Sequence, residues 1–178
     1  MAMAISTLSA CAPETTPTET QASSSPTATV DPTLVPTAAP TFVEVSAKDF
    51  YQADRTYLFK VGDGPAWCSI DPGNDQVVCE INEVSAEYEP VDVPASCDYS
   101  YGYQLRLTRG TPAEGNPADF LCSGGPYADP SRALKLASGS QIKVGPFTCF
   151  VDEFAARCDN QDGSWIVMGP KAWALGNP

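Results

Sequence analysis

Short runs of apolar and β-branched residues, separated by glycine and proline turns, fill the chain from residue 43 onwards. Ten such runs stand out: residues 56–61, 66–70, 76–82, 102–108, 118–122, 132–137, 141–144, 147–152, 155–159 and 164–168. Regularly spaced short strands with turn residues between them are typical of all-β proteins. We therefore expect a small antiparallel sandwich or barrel-like domain of about 8–10 short strands.

Two stretches carry a weaker helical pattern. Residues 46–54 place Ala47, Phe50 and Tyr51 on one possible helical face, and residues 171–175 combine lysine, alanine and leucine near the end of the chain. Apolar residues three and four positions apart favour a helix. The sequence therefore predicts short helical segments at these two places.

The chain before residue 43 has a different composition. Residues 12–42 contain six prolines, nine threonines and three serines, with no glycine and no basic residue. Such a segment has too few large apolar side chains to form a core. We expect a disordered, semi-extended tether over residues 11–42, followed by a single folded domain over residues 43–178.

A short motif precedes this tether. Leu8-Ser9-Ala10-Cys11 matches the bacterial lipobox, in which the cysteine is diacylated and becomes the first residue after cleavage. Residues 1–10 then read as the remnant of a lipoprotein signal, and because they lack Lys and Arg we expect the natural signal to begin further upstream. The motif predicts a protein held by the Cys11 lipid on the extracytoplasmic face of the cell membrane.

Charge and composition exclude several classes of function. The formal net charge is −12 and the chain has no histidine. An acidic surface repels nucleic acid, and the absence of histidine removes Ser-His-Asp and Cys-His catalysis and every His-ligated metal site. We expect no catalytic residue, no metal and no cofactor.

Six of the seven cysteines lie in the predicted domain, which indicates three disulfides and an oxidising compartment. Six cysteines permit fifteen connectivities. Hairpin geometry places Cys68 opposite Cys79, because a Pro-Gly-Asn-Asp turn separates them, and the same argument relates Cys149 to Cys158. Sequential pairing is favoured on this basis, with Cys97 and Cys122 as the remaining pair.

Aromatic residues supply the candidate binding surface. Tyr99, Tyr101 and Tyr103 alternate directly after Cys97, so a strand would place all three rings on one face. Rings with polar tips suit sugars, peptides or a protein partner. The alternative is that one or two of the tyrosines fill the core or cover an edge. Trp165 is a further candidate for the same surface.

Three polar motifs are explained by strand and turn formation more simply than by catalysis or metal binding. Ser140-Gln141-Ile142-Lys143 has the Ser-x-x-Lys spacing of penicillin-recognising enzymes, but in a strand its serine and lysine face opposite sides. The acidic loops 71–75 and 159–163 could offer oxygen ligands to calcium, yet they lack the alternating ligands and closing Glu of a full binding loop. Turn formation explains both loops.

The cysteine pattern and its flanking residues resemble small secreted or lipid-anchored proteins of actinobacteria with a six-cysteine domain of unassigned function. The resemblance rests on Trp67-Cys68, Val78-Cys79-Glu80-Ile81, Cys97, Leu105 with Leu107, Phe120-Leu121-Cys122-Ser123-Gly124-Gly125, Gly145-Pro146-Phe147-Thr148-Cys149, Arg157-Cys158-Asp159-Asn160, Gly163 and Trp165. A histidine that the family often carries near its end is replaced here by the Asp162-Gly163-Ser164-Trp165 segment. The resemblance implies fold and location rather than activity.

These observations predict a non-enzymatic, lipid-anchored accessory protein that docks on a membrane protein complex of the envelope. Small actinobacterial lipoproteins of this kind are similar to peripheral subunits of large membrane complexes, including the cytochrome bcc-oxidase respiratory supercomplex. The alternative is a binding module for cell-wall glycan or lipid. Confinement to the membrane surface raises the effective concentration, so a modest interface suffices for docking.

Overall fold

The computed structural model describes residues 41–110 and 115–178, which form twelve β-strands and three short 3₁₀ helices. The strands are β1 (Val43–Glu44), β2 (Tyr57–Val61), β3 (Trp67–Asp71), β4 (Gln76–Glu80), β5 (Gln104–Thr108), β6 (Ala118–Phe120), β7 (Leu134–Leu136), β8 (Ser140–Val144), β9 (Phe147–Asp152), β10 (Ala155–Asn160), β11 (Trp165–Met168) and β12 (Trp173–Gly176). The helices are Ala47–Phe50, Glu83–Ser85 and Pro130–Arg132. Cys11, the signal remnant and residues 11–40 of the tether lie outside the described residues.

The strands form two six-stranded sheets. Sheet 1 has the order β1-β8-β9-β10-β11-β12, and sheet 2 has the order β6-β5-β4-β3-β2-β7. Most neighbouring strands are antiparallel, but β1 pairs with β8 and β2 pairs with β7 in parallel. The predicted all-β class is therefore confirmed, with two parallel pairs added to the expected antiparallel arrangement.

All ten predicted strands are present, with shifted ends, and two further strands were not predicted. The helical interpretation of residues 171–175 is wrong, because β12 pairs with β11 over Trp173–Gly176. Residues 46–54 form only one 3₁₀ turn, Ala47–Phe50, which buries Phe50 against the sheets. Pairing with a neighbouring strand outweighs the weak helical propensity of the last segment.

The core lies between the sheets and follows the alternation of each strand. In β9, Phe147, Cys149 and Val151 are buried, while Thr148 and Phe150 are only half-buried. The facing sheet contributes Phe59, Ile70, Val77, Leu105 and Leu107 among other fully buried residues. Residues two apart in a strand share a face, so each strand presents one apolar side to this core.

The six cysteines form three disulfides with the sequential pairing favoured by the hairpins: Cys68–Cys79, Cys97–Cys122 and Cys149–Cys158. The first and third join residues that stand directly opposite each other on paired strands. Both point into the core, where Cys79 Sγ lies 3.8 Å from Cys158 Sγ across the sandwich. Two disulfides thus contact each other at the centre of the molecule.

The outer face of sheet 2 is covered by the chain itself. β6 and β7 lie at opposite edges of this sheet, so the segment between them, residues 121–133, must cross the whole outer face. Beneath this crossing loop, Leu58, Trp67 and Val78 are buried although they point away from the main core. The loop therefore creates a second, smaller buried layer.

The last residues close one side of the sandwich. The Asn177 side chain accepts a hydrogen bond from the Ala118 backbone N–H at 2.8 Å and donates one to the Ala118 carbonyl at 3.1 Å. Its amide thus pairs with β6 as a neighbouring strand would. This contact links the segment after β12, at the edge of sheet 1, to the edge of sheet 2.

Candidate functional site

The three candidate tyrosines do not share one strand face. They precede β5, and Gly102 between them has a φ of +93°, a left-handed conformation that interrupts the alternation. Tyr99 is 67% exposed, whereas Tyr101 and Tyr103 are half-buried. The expected common face is therefore not formed, because the chain bends at Gly102.

Tyr101 and Tyr103 take part in packing. The Tyr101 ring lies 5.3 Å from Phe120, which in turn contacts Trp173 edge-on at 4.7 Å. Tyr103 stacks on Tyr88 at 6.4 Å, and both rings pack against the core. Burial and the neighbouring Tyr103 raise the pKa of Tyr88 to about 12, so its hydroxyl stays protonated and donates to the Gly102 carbonyl at 2.9 Å. The alternative role as edge and core residues fits these two tyrosines.

Trp165 lies on a different surface, the outer face of sheet 1. The Arg157 guanidinium carbon stands 4.5 Å from the centroid of its ring, and the indole lies directly over Gly176 of β12. Arg157 also forms an ion pair of 2.7 Å with Asp159. Trp165 is thus already engaged with its own sheet and is not joined to the tyrosines.

A buried titratable group, Glu80, was not predicted as a site. Its buried carboxylate accepts hydrogen bonds from Trp67 Nε1 (2.8 Å), Gln104 Nε2 (2.7 Å), Tyr127 N (2.7 Å) and Ala128 N (3.1 Å). Burial raises the pKa of the Glu80 carboxyl, and the hydrogen bonds from Tyr127, Ala128 and Trp67 oppose this rise. Four donors occupy the two oxygens, so Glu80 fastens the crossing loop to β4.

A small cavity of about 160 Å³ adjoins this carboxylate, lined in part by Asn82, Tyr103, Gln104 and Gly125. Ligand pockets usually measure roughly 300–1,000 Å³. The cavity is thus small for a sugar or a cofactor, and the Glu80 oxygens that border it already accept hydrogen bonds. Its geometry favours a structural role.

The polar motifs also serve the fold. Asp71 accepts hydrogen bonds from Gly73 N (3.0 Å), Asn74 Nδ2 (2.6 Å) and Tyr127 Oη (2.7 Å), which form the β3–β4 turn and hold the crossing loop. Asn160 Oδ1 accepts from the N–H groups of Asp162 and Ser164 at 3.0 and 2.9 Å. These oxygens are used by their own loops.

Cysteine sulfur also forms a cluster, in which Cys68, Cys79 and Cys158 have Sγ atoms within 4.8 Å of one another. All three atoms belong to disulfides. A metal ligand must be a free thiolate, so the oxidised cluster offers none.

A broad concave surface, an open groove of about 1010 Å³, lies on the outer face of sheet 1. Phe42 and Phe150 form one apolar wall, with ring centroids 5.1 Å apart, and Ala155 and Val167 contribute the neighbouring apolar surface. The remaining lining residues are Thr41, Gln141, Asp152, Glu153, Arg157 and Asp159. We call this the sheet 1 groove.

Sequence reasoning did not identify this groove, although a signal was present. In β9 and β11 the outward-facing positions include Phe150, Trp165 and Val167, where a solvated sheet face would carry polar side chains. Apolar residues on both faces of a strand indicate that both faces are contacted.

Comparison of the chain with protein-family models, with curated proteins and with solved structures finds no match. In the part of the chain that the structure describes, no helix has the length and apolar character needed to cross a membrane.

Proposed function

We propose that this protein is a non-enzymatic interaction domain, held on the extracytoplasmic face of the cell membrane by a lipid on Cys11, that docks on a membrane protein complex. The observation that carries the proposal is the sheet 1 groove, an apolar surface on an outer sheet face. Its partner would be an envelope assembly, with the actinobacterial cytochrome bcc-oxidase supercomplex as the candidate suggested by the sequence resemblance.

The contrast between the two outer faces supports this role. On sheet 2 the crossing loop buries Leu58, Trp67 and Val78. On sheet 1 the corresponding apolar positions, Phe150 and Val167, remain partly accessible and line an open groove. Contiguous apolar surface rimmed by polar residues is characteristic of interaction sites. A partner protein would take the place on sheet 1 that the crossing loop takes on sheet 2.

A glycan is the second candidate occupant of the same surface, because aromatic rings on a sheet face stack on sugars. The rings here are poorly arranged for stacking: the planes of Phe42 and Phe150 are inclined by 42°, and Trp165 already contacts Arg157. Neither presents a flat, free aromatic platform. The geometry therefore favours a protein partner over a glycan.

The test is photo-crosslinking in native membranes. A benzoylphenylalanine residue replaces Phe150 in the groove, or Tyr99 as an exposed aromatic control outside it. The proposal predicts one recurrent crosslinked membrane protein from position 150, and little or none from position 99. Mass spectrometry of the adduct identifies the complex, and the bcc-oxidase candidate is supported only if the adduct is one of its subunits.

Anchoring is tested separately with Cys11→Ala. We expect this variant to leave the membrane fraction and to lose the crosslink at position 150, because membrane confinement supplies the effective concentration. A chain that crosslinks equally from both positions, or that yields no membrane-protein adduct, contradicts the docking role. Retention of glycan fragments by the wild type but not by Phe150→Ser would favour the glycan module instead.

A further inference from the structure

The sheet 1 groove combines an apolar floor with an acidic end. Three carboxylates, Asp152, Glu153 and Asp159, line it together with one guanidinium, that of Arg157. Asp159 is paired with Arg157, but Asp152 and Glu153 form no ion pair with any described residue. The end of the groove at the β9–β10 turn therefore carries two exposed carboxylates that no ion pair among the described residues engages, and Lys171 lines the neighbouring depression.

The turn that carries these charges is fixed in place. Glu153 has a φ of +49°, and its backbone N–H donates to Ser138 Oγ at 2.8 Å. Its carbonyl packs so closely on Gly62 that a Cβ at that glycine would lie 2.6 Å away. The backbone that carries the carboxylates is thus held on two sides, which reduces the backbone entropy lost when a partner binds.

The apolar surface continues past this turn. A second depression shares Asp152, Glu153, Ala155 and Val167 with the groove and extends to Phe154, Gly169, Pro170, Lys171 and Ala172. Within this extension Gly169 lies against Ala155 so closely that a Cβ there would be 2.9 Å from the alanine Cβ. The acidic turn therefore stands beside a shallow trough, lined by apolar residues and one lysine, that can accept side chains of a partner.

We propose that the sheet 1 groove recognises a partner segment in which a lysine or arginine lies beside aliphatic or aromatic side chains. The apolar side chains pack on Phe42, Phe150 and Val167, and the cation pairs with Asp152 and Glu153. Charge complementarity of this kind speeds association and selects among partners. The inference rests on the docking function proposed above and specifies the chemistry of its partner.

The experiment selects a randomised twelve-residue peptide display library against the immobilised full chain. The expected peptides are enriched in Lys or Arg next to Leu, Ile, Phe or Trp. Their binding falls at least tenfold for Phe150→Ser and for the double variant Asp152→Asn/Glu153→Gln. It is unchanged for Tyr99→Ser and for Glu89→Gln/Asp92→Asn, which alter an exposed aromatic and two exposed acids outside the groove.

Selection of acidic or uncharged peptides, equal binding to the groove variants, or no enrichment overturns the partner chemistry. Circular dichroism and the unfolding midpoint of each variant establish that a loss of binding reflects the surface and not the fold. If the library yields no such peptides but position 150 still crosslinks to a membrane protein, the docking function is supported and only the proposed partner chemistry is wrong. Loss of the crosslink removes the docking function itself.

Discussion

At the scale of single residues, Glu80 is a buried carboxylate that accepts hydrogen bonds from four N–H groups and forms no ion pair with a described residue. Two of the donors are backbone groups of the crossing loop, at Tyr127 and Ala128, and two are side chains of sheet 2, Trp67 and Gln104. The acceptor-only carboxylate satisfies all four. Glu80 therefore fastens the crossing loop to sheet 2.

The first prediction concerns Glu80→Gln. A glutamine amide brings two N–H donors to a site that holds only donors, so two of the present hydrogen bonds are lost and their partners stay buried. We expect the free energy of unfolding to fall by about 2 to 4 kcal/mol at neutral pH. Urea denaturation measures the change, with the exposed Glu89→Gln as the matched control. A loss no larger than that of the control contradicts the anchoring role.

The second prediction is the acid sensitivity that comes from Asp71. Burial raises the pKa of this carboxyl, but hydrogen bonds from Tyr127, Asn74 and Gly73 outweigh burial and hold the pKa below the usual 3.8. A carboxyl with a lowered pKa stabilises the folded state above its unfolded pKa, and this stabilisation is lost as the pH falls through the folded pKa. Asp71→Asn should flatten the decline of stability below about pH 4.

Urea denaturation at a series of pH values between neutral and strongly acidic measures this slope. The exposed Asp92→Asn is the control, since no described residue donates a hydrogen bond to its carboxylate. If Asp71→Asn declines with pH as steeply as the wild type, the hydrogen bonds around Asp71 do not stabilise its charged form.

At the scale of elements, the β9–β10 hairpin packs against Gly62 in the loop after β2. Gly62 has a φ of +53°, and a Cβ there would lie 2.6 Å from the Glu153 carbonyl oxygen. Gly139 has a similar φ of +77° but no atom within 4 Å of its Cβ position. Alanine substitution at the two glycines therefore distinguishes the free-energy cost of a left-handed backbone from that of a steric clash.

The third prediction compares Gly62→Ala with Gly139→Ala. The left-handed conformation alone should cost about 1 kcal/mol at Gly139. Gly62→Ala adds a backbone clash and should lose roughly 2 to 4 kcal/mol. Thermal and urea unfolding of both variants measure the difference. Equal losses would mean that the hairpin can move away from Gly62, and the rigidity assigned to the acidic turn would then be wrong.

The central strands and the hairpin disulfides could be predicted from sequence because they depend on local patterns. Alternation identified β9, and the turn between Cys68 and Cys79 fixed their register. β1 has only two residues, and it exists because Val43–Glu44 pairs in parallel with β8. β12 resembles a helix in composition and becomes a strand through its pairing with β11. Long-range pairing of this kind leaves no local signal.

The candidate site was less predictable, for a related reason. Alternation places the three tyrosines on one face only if an extended strand runs through all of them. The backbone at Gly102 is left-handed instead, and a glycine in the sequence permits that conformation without requiring it. Glu80 could be recognised only once β6 and β7 were known to lie at opposite edges of sheet 2. Phe150 and Val167 carried a signal of their own, because apolar residues on the outer side of a strand need a contact.

At the scale of the whole molecule, the three disulfides differ in their access to solvent. Four sulfurs lie in the core between the sheets, in Cys68–Cys79 and Cys149–Cys158, and all four residues are fully buried. The remaining bridge joins Cys97 in the β4–β5 connection to Cys122 in the crossing loop, and Cys122 is exposed. One bridge thus fastens surface loops, and two stabilise the sandwich itself.

The last prediction follows from this division. A thiolate reductant must reach a sulfur atom to attack it, so the core bridges can be reduced only after the sandwich opens. Under native conditions, mild reduction followed by alkylation should therefore modify Cys97 and Cys122 at least tenfold faster than the other four cysteines. Peptide mass mapping over time measures the order. Denaturant should abolish the difference, since all six sulfurs are then accessible, and simultaneous reduction without denaturant would show that the two sheets separate as readily as the loops move.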